Sequence, residues 1–420
     1  ELKNPIKGQT YQDAIVQYQK DRSPREKLLS FKKRALVHFA VDPDEVWMTT
    51  RLDKLDTQFL PFNRGHADRS AGNPPIEGDY RTSYLWKEVL QKDSLLDILQ
   101  RFVQVQKDKK NGHEWIIFPR YHQLDVVRKL VADVKQRGSG HSYLIQHSAG
   151  SGKSNSIAWL AHHLESVHDA DEQVIFHSII VITDRRVLDK QLQKDIFSME
   201  HKQGVVVRVS RNAKQLTSVL EKGARIIVCT LQKFPFVDVQ RICTTGRRFA
   251  IIVDEAHSSQ SGKASERMKE VLADISIHDG EAIEQRLHEY AVAEARAEEE
   301  TPDRDEELAD EIRKQIAAHG RQENLSFFAF TATPKQKTLE MFGTAVPGKK
   351  PVPWHIYSMR QAIEEHFIFD VLENYTTYET YFQLGKKTKE NPEYAKKQAN
   401  KALGKYMSLH PHNLRQKTEI

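Results

Sequence analysis

Apolar residues gather along the chain in short runs that end abruptly in polar ones. SYLIQ at 142–146 has the length of a strand, and NSIAWLAHHL at 155–164 spaces Ile157, Leu160 and Leu164 as one face of a helix. RFAIIVDEAH at 248–257 sets four apolar residues, 250–253, before two carboxylates and a histidine. NLSFFAFTATPK at 324–335 is a third such run, closing on Thr331, Ala332 and Thr333. SLLDILQRFVQ at 94–104 reads as a helix, HADRSAGNPP at 66–75 as a loop, and the Gly- and Pro-rich GTAVPGKKPVPW at 343–354 as a linker. Strands that alternate with helical patterns predict an α/β fold, a parallel sheet with helices on both faces.

At 420 residues the chain has room for two or three domains with their own cores. Its net charge of +5 is unevenly distributed. Residues 279–323 hold 15 acidic and 6 basic side chains, a balance of −9, which leaves +14 on the remainder. The remainder is suited to a polyanion, and the acidic block reads as a solvated insertion of exposed helix broken near Pro302. Two cysteines, Cys229 and Cys243, exclude a disulfide framework and point to a reducing cytoplasm. No apolar run is long enough to span a membrane, and no signal peptide is visible.

The candidate chemistry sits where these runs end. Between the first strand and its helix lies QHSAGSGKS, 146–154, close to the phosphate-loop pattern G-x-x-x-x-G-K-[ST] with His147 at the first glycine. A loop that leads from a strand into a helix start aims free N–H groups and the positive end of the helix dipole at an anion. In the loop 148–154 (Ser148, Ala149, Gly150, Ser151, Gly152, Lys153, Ser154), the glycines let backbone wrap phosphates, Lys153 reaches the β- and γ-phosphates and the Ser154 hydroxyl can ligate Mg2+. About 100 residues on, Asp254 is placed to hold Mg2+ through water, and Glu255 to orient or deprotonate an attacking water. The cofactors expected are ATP and Mg2+.

With these motifs in this order the chain resembles superfamily 2 helicases and translocases. FPRYHQ at 118–123, VITDRRVLDKQ at 181–191 and TLQKF at 230–234 extend the likeness. The resemblance implies that Gln123 reads adenine, with Arg120 beside it. It gives Arg185, Gln191, Thr230 and Gln232 to the nucleic-acid backbone, and the coupling of hydrolysis to movement to His257, Thr331 and Thr333.

Near the N-terminus Glu1 and Lys3, two residues apart on a strand, share a face, as in the E-x-K half of a metal-dependent nuclease site. ELKNP followed by DAIVQY (13–18), LVHFAVDPDEVWMTTRL (36–52) and FLPFNRG (59–65) resembles the nuclease domain of Type I restriction endonuclease R subunits. That likeness implies a PD-(D/E)xK nuclease fused to two RecA-like lobes that pull duplex DNA, with methyltransferase and specificity subunits as partners. Glu1 carries over as catalytic residue and metal ligand, Lys3 as its catalytic partner, and Tyr18 as the tyrosine of the Q-x-x-x-Y element. Ala14 stands where that element has glutamine, with Gln12 or Gln17 as substitutes. The family's first nuclease aspartate falls before Glu1 and its arginine finger after Ile420, so the chain is expected to be a piece of a longer protein. The expected organisation is a partial nuclease domain at 1–70, a connecting region at 71–115, the first RecA-like lobe at 116–350 with the acidic insertion, and the start of a second lobe at 351–420. A helicase-like ATPase without nuclease activity is the alternative.

Overall fold

The computed structural model describes residues 1–107, 112, 114–183, 192, 195–199, 205–209, 218–219, 222–230, 247–254 and 323–370. Arg185, Gln191, Gln232, Glu255, His257, Cys243 and nearly all of the acidic block lie outside the described residues. The chain divides into two compact units, Glu1–Ile368 and Phe369–Ile420, and every element below belongs to the first.

The N-terminal region is built around α1 (Tyr11–Lys20) and β1 (His38–Val41). Residues 1–3 run parallel to β1, with Lys3 N–H donating to the Val41 carbonyl at 2.9 Å and Val41 N–H to that of Glu1 at 3.0 Å. The crossover between them is α1. It starts at Thr10, whose hydroxyl accepts from Gln12 N–H while the Asp13 carboxylate accepts from Thr10 N–H, so two otherwise orphaned donors are satisfied. The inner side of α1 buries Ala14 and Tyr18. Two further strands, β2 (Val46–Thr49) and β3 (Leu60–Pro61), add antiparallel.

Beyond the short α2 (Lys92–Asp97), the antiparallel pair β4 (Gln104–Lys107) and β5 (Glu114–Ile117) leads into α3 (Tyr121–Arg137). Then come β6 (Ser142–His147), α4 (Lys153–Glu165), β7 (Ser178–Thr183), β8 (Val206–Arg208), β9 (Ile226–Thr230), β10 (Phe249–Val253) and β11 (Leu325–Thr331). The last described elements are α5 (Gln336–Phe342), the strands β12 (Thr344–Val346), β13 (Lys349–Val352) and β14 (His355–Tyr357), and α6 (Met359–Glu364). The expected linker at 343–354 is mostly a hairpin, β12 against β13, because Pro347 and Gly348 supply its turn, with Gly348 at φ +70°.

One seven-stranded sheet, in the order β14-β6-β11-β10-β7-β9-β8 and parallel throughout, organises the unit. The boundary expected near 350 cuts through this sheet, since β14 is its edge strand. Every residue of β10 and β11 is buried, as a parallel sheet covered on both faces requires. Alternate side chains go to separate cores. Tyr143, Ile145, Val181, Ile252 and Phe328 join α3 and α4, whereas Leu144, Ile182, Ile251 and Phe327 join Phe342 of α5. Helices therefore cover both faces, the RecA-like architecture. Trp159 of α4 is fully buried and its indole N–H donates to the Phe102 carbonyl at 3.0 Å, which ties the connecting region to the same core.

Candidate functional site

In a parallel sheet the strands all point one way, so the loops that follow them share one edge. Register aligns the ends here: Gln146 of β6 faces Thr331 of β11, and Ala329 of β11 faces Val253 of β10. The loop 148–154, Thr331 and Asp254 thus reach one edge from three adjacent strands. Asp254 and Lys153 are nearly buried, with 8% and 9% of their surface exposed, and Thr331 is wholly buried while Thr333 is exposed.

The loop takes the conformation its glycines allow. Gly150 lies at φ +74° and Gly152, the residue before α4, at φ +78°, a region L side chains rarely adopt. A Cβ on Gly152 would run into the Gln123 side-chain amide, so a larger residue is excluded twice over. Lys153 and Ser154 begin the thirteen-residue α4, whose N-terminal end, with its positive dipole, follows the loop directly. The Ser151 hydroxyl is buried and finds no hydrogen-bond partner among the described residues. Left-handed glycines, a helix start and an orphaned buried hydroxyl fit a phosphate cradle. A hydroxyl and a carboxylate, Ser154 and Asp254, are the oxygen donors that Mg2+ prefers.

The start of α3 grips this loop. Gln123 donates from Nε2 to the carbonyls of Ser151 at 3.2 Å and Gly152 at 3.0 Å, and its Oε1 accepts from Arg120 N–H at 2.9 Å. His122 Nε2 lies 3.0 Å from the Ser151 carbonyl, and its ring stacks on Tyr357 at 3.8 Å between centroids. Burial, helped by the Arg120 charge, holds His122 well below its usual range, so the neutral ring donates to that carbonyl.

Arg120 is committed elsewhere. Its Nη2 contacts the Glu365 carboxylate at 2.9 Å and the Tyr357 hydroxyl at 2.7 Å, its guanidinium lies 3.9 Å from the Phe367 ring centroid, and only 6% of the side chain is exposed. Burial raises the Glu365 carboxyl although Arg120 opposes it, and burial also drives the Tyr357 hydroxyl far above its usual range. Neither Glu365 nor Tyr357 was expected from the sequence, because 351–420 read as the opening of another lobe.

At the N-terminal region the Lys3 ammonium donates to Gln17 Oε1 at 2.5 Å. Of the two glutamines that could substitute at the Q-x-x-x-Y position, Gln17 faces Lys3, while Tyr18 points inward and its hydroxyl meets the Phe39 carbonyl at 3.4 Å. Burial raises Tyr18 to about 12. The Glu1 carboxylate is held by Arg22 at 2.7 Å. Among the described residues no three His, Cys, Asp or Glu side chains gather as metal ligands would. Of the residues expected on DNA, Thr230 ends β9 opposite Thr183 of β7, and Arg185, Gln191 and Gln232 lie outside the described residues.

Residues 122–278 match the family model of the SWI2/SNF2 ATPase, a stretch well under half of the chain. No curated protein matches the chain. Among solved structures, the UvsW helicase from bacteriophage T4 is 15% identical over 58% of this chain and 68% of its own, with a TM-score of 0.31. A fragment of a putative HsdR subunit of a type I restriction enzyme from Vibrio vulnificus is 14% identical over 82% of this chain and 47% of its own, with a TM-score of 0.32. The SWI2/SNF2 ATPase core of Sulfolobus solfataricus in complex with dsDNA is 14% identical over 54% and 35%, with a TM-score of 0.29. The chain spans less than half the length of the last two, and TM-scores this low carry no argument about function.

Proposed function

We propose that the chain belongs to the R subunit of a Type I restriction enzyme, an ATP-driven motor that pulls duplex DNA and cleaves it away from the recognition site. The observation that carries the motor is the convergence of the loop 148–154 and Asp254 on one edge of the parallel sheet. The family-model match over 122–278 supports the ATPase part, and the N-terminal motifs ELKNP and DAIVQY support the rest.

Bound ATP with Mg2+ would supply the phosphoryl group to be transferred and charge to shield it. Gly150 and Gly152 let loop amides close on phosphate oxygens, and Lys153 offsets their charge. Ser154 and Asp254 hold the ion, and Glu255 orients the water. Gln123 serves the adenine side from the position where it already braces the loop. Arg185, Gln191, Thr230 and Gln232 contact the DNA backbone, and His257, Thr331 and Thr333 pass the change at the phosphate to them. Glu1 and Lys3, with Gln17 at the lysine, form the nuclease half-site. Methyltransferase and specificity subunits choose the DNA sequence.

One observation favours the second reading, a helicase-like ATPase without nuclease activity: Arg22 occupies the Glu1 carboxylate. A single pair of variants in the full-length protein decides both points. Lys153→Ala should abolish ATP turnover and, with it, remote cleavage. Lys3→Ala should abolish strand cleavage and spare DNA-stimulated ATP hydrolysis. ATP turnover that survives Lys153→Ala sinks the motor assignment, cleavage that survives Lys3→Ala removes Lys3 from the nuclease site, and a wild type that cleaves no DNA leaves only the ATPase.

A further inference from the structure

The helix α3 holds both ends of the phosphate loop, by two different routes. At the far end the route is direct, through His122 and Gln123 to the carbonyls of Ser151 and Gly152. At the near end it runs through the edge strand β14. Ser148 N–H donates to the Tyr357 carbonyl at 2.9 Å, and the His147 ring, wholly buried where the motif has glycine, places Nε2 2.9 Å from His355 Nδ1. His355 Nε2 in turn lies 3.0 Å from Asp125 Oδ2, on the same first turns of α3 as His122 and Gln123.

The direction of the last of these hydrogen bonds follows from its acceptor. An ionised Asp125 can only accept, so His355 donates from Nε2. One proton lies between His355 Nδ1 and His147 Nε2, so one ring donates there and the other accepts. Each ring is held in one orientation by the next. A glycine at 147 would leave the first residue of the loop tied to β14 by backbone alone.

We propose that His147, His355 and Asp125 form a relay that runs from the buried His147 to the partly exposed Asp125 and positions the phosphate loop, with His355 and Asp125 acting as positioning residues for nucleotide. The inference rests on the nucleotide reading of the loop. It also assigns a task to the histidine that departs from the motif, and to β14, which no motif covers.

The test has one arm that needs no nucleotide. In the full-length protein, hydrogen exchange of the 148–154 amides is followed for Asp125→Ala, Asp125→Asn and Lys129→Ala, alongside binding of a fluorescent ATP analogue with Mg2+. Misplacement of a site by about 1 Å can cost on the order of 100-fold, so Asp125→Ala should weaken nucleotide binding at least about tenfold. It should speed exchange in the loop while the amides of β10 stay protected. Asp125→Asn keeps an acceptor oxygen and should recover most of the protection, and Lys129→Ala, which removes only an exposed partner of Asp125, should change neither readout. If Asp125→Ala unfolds the protein, His355→Gln, which keeps the bulk and breaks the two-ended link, is read in the same way. Loop exchange that stays at the wild-type rate in these variants overturns the relay. Failure of the wild type to bind the analogue instead overturns the nucleotide reading, while the exchange arm still decides the relay.

Discussion

Arg120 and Glu365 meet at 2.9 Å although 245 residues separate them, and both are almost wholly buried. Each partner of such a pair needs the other, since either charge left alone in the interior is costly.

Arg120→Ala should therefore destabilise the protein by about 3–5 kcal/mol, because it leaves the Glu365 carboxyl buried without its cation. The double variant Arg120→Met with Glu365→Leu removes both polar groups and should recover most of that loss. Urea unfolding of the three proteins checks it. A single variant with wild-type stability would mean that water reaches Glu365.

The two loop glycines should respond unequally to alanine. Both lie at positive φ, which costs an L residue roughly 1–2 kcal/mol. At Gly150 the new methyl meets Ile368 at 3.5 Å, an ordinary contact, whereas at Gly152 it collides with the Gln123 amide that braces the loop. Gly152→Ala should weaken nucleotide binding more than Gly150→Ala, and equal titration curves for the two would refute that ranking.

Through its buried histidines, acidification below neutral pH should destabilise the protein. Burial first, then the neighbouring His355, His122, Lys153 and Arg120, holds His147 well below its usual 6.5, and burial also lowers His122 and His38. An unfolded histidine takes up its proton as pH falls through about 6.5, while these folded ones do not. The unfolded state therefore binds more protons, and stability is lost as pH drops from 7 toward 5, by about 1.4 kcal/mol for each unit of pKa depression traversed. Thermal midpoints at pH 7.5, 6.5 and 5.5 should fall in that order. A midpoint that rises on acidification would contradict neutral, buried rings.

Gln17→Ala in the full-length protein should lower DNA cleavage and leave DNA-stimulated ATP hydrolysis within about twofold of wild type. Gln17 holds the Lys3 ammonium, and among the described residues no hydrogen bond joins it to the loop 148–154. Cleavage unchanged by Gln17→Ala would place the lysine's orientation under another group.

The sheet and the glycine-bearing loop that leads into α4 were legible in the sequence because their signals are local. A strand buried on both faces needs an unbroken apolar run, as in 250–253 and 327–330, and a turn that enters a helix at positive φ needs glycines, as at 150 and 152. Asp254 was legible for the same reason, as the polar residue that ends such a run. What only the tertiary structure decided concerns pairs far apart in the chain. Nothing local in HIY at 355–357 says that it completes the sheet beside β6, which puts His355 on His147 and Tyr357 under His122. Arg120 looked like a nucleotide ligand by its place before Gln123, yet its partner Glu365 arrives only when α6 folds back. Gln17 was one of two candidates until helix α1 was set beside residues 1–3, since the turn of the helix alone fixes which glutamine faces Lys3. Periodicity reports which face of an element is buried, and the partner across the interface is chosen by the chain's path through space.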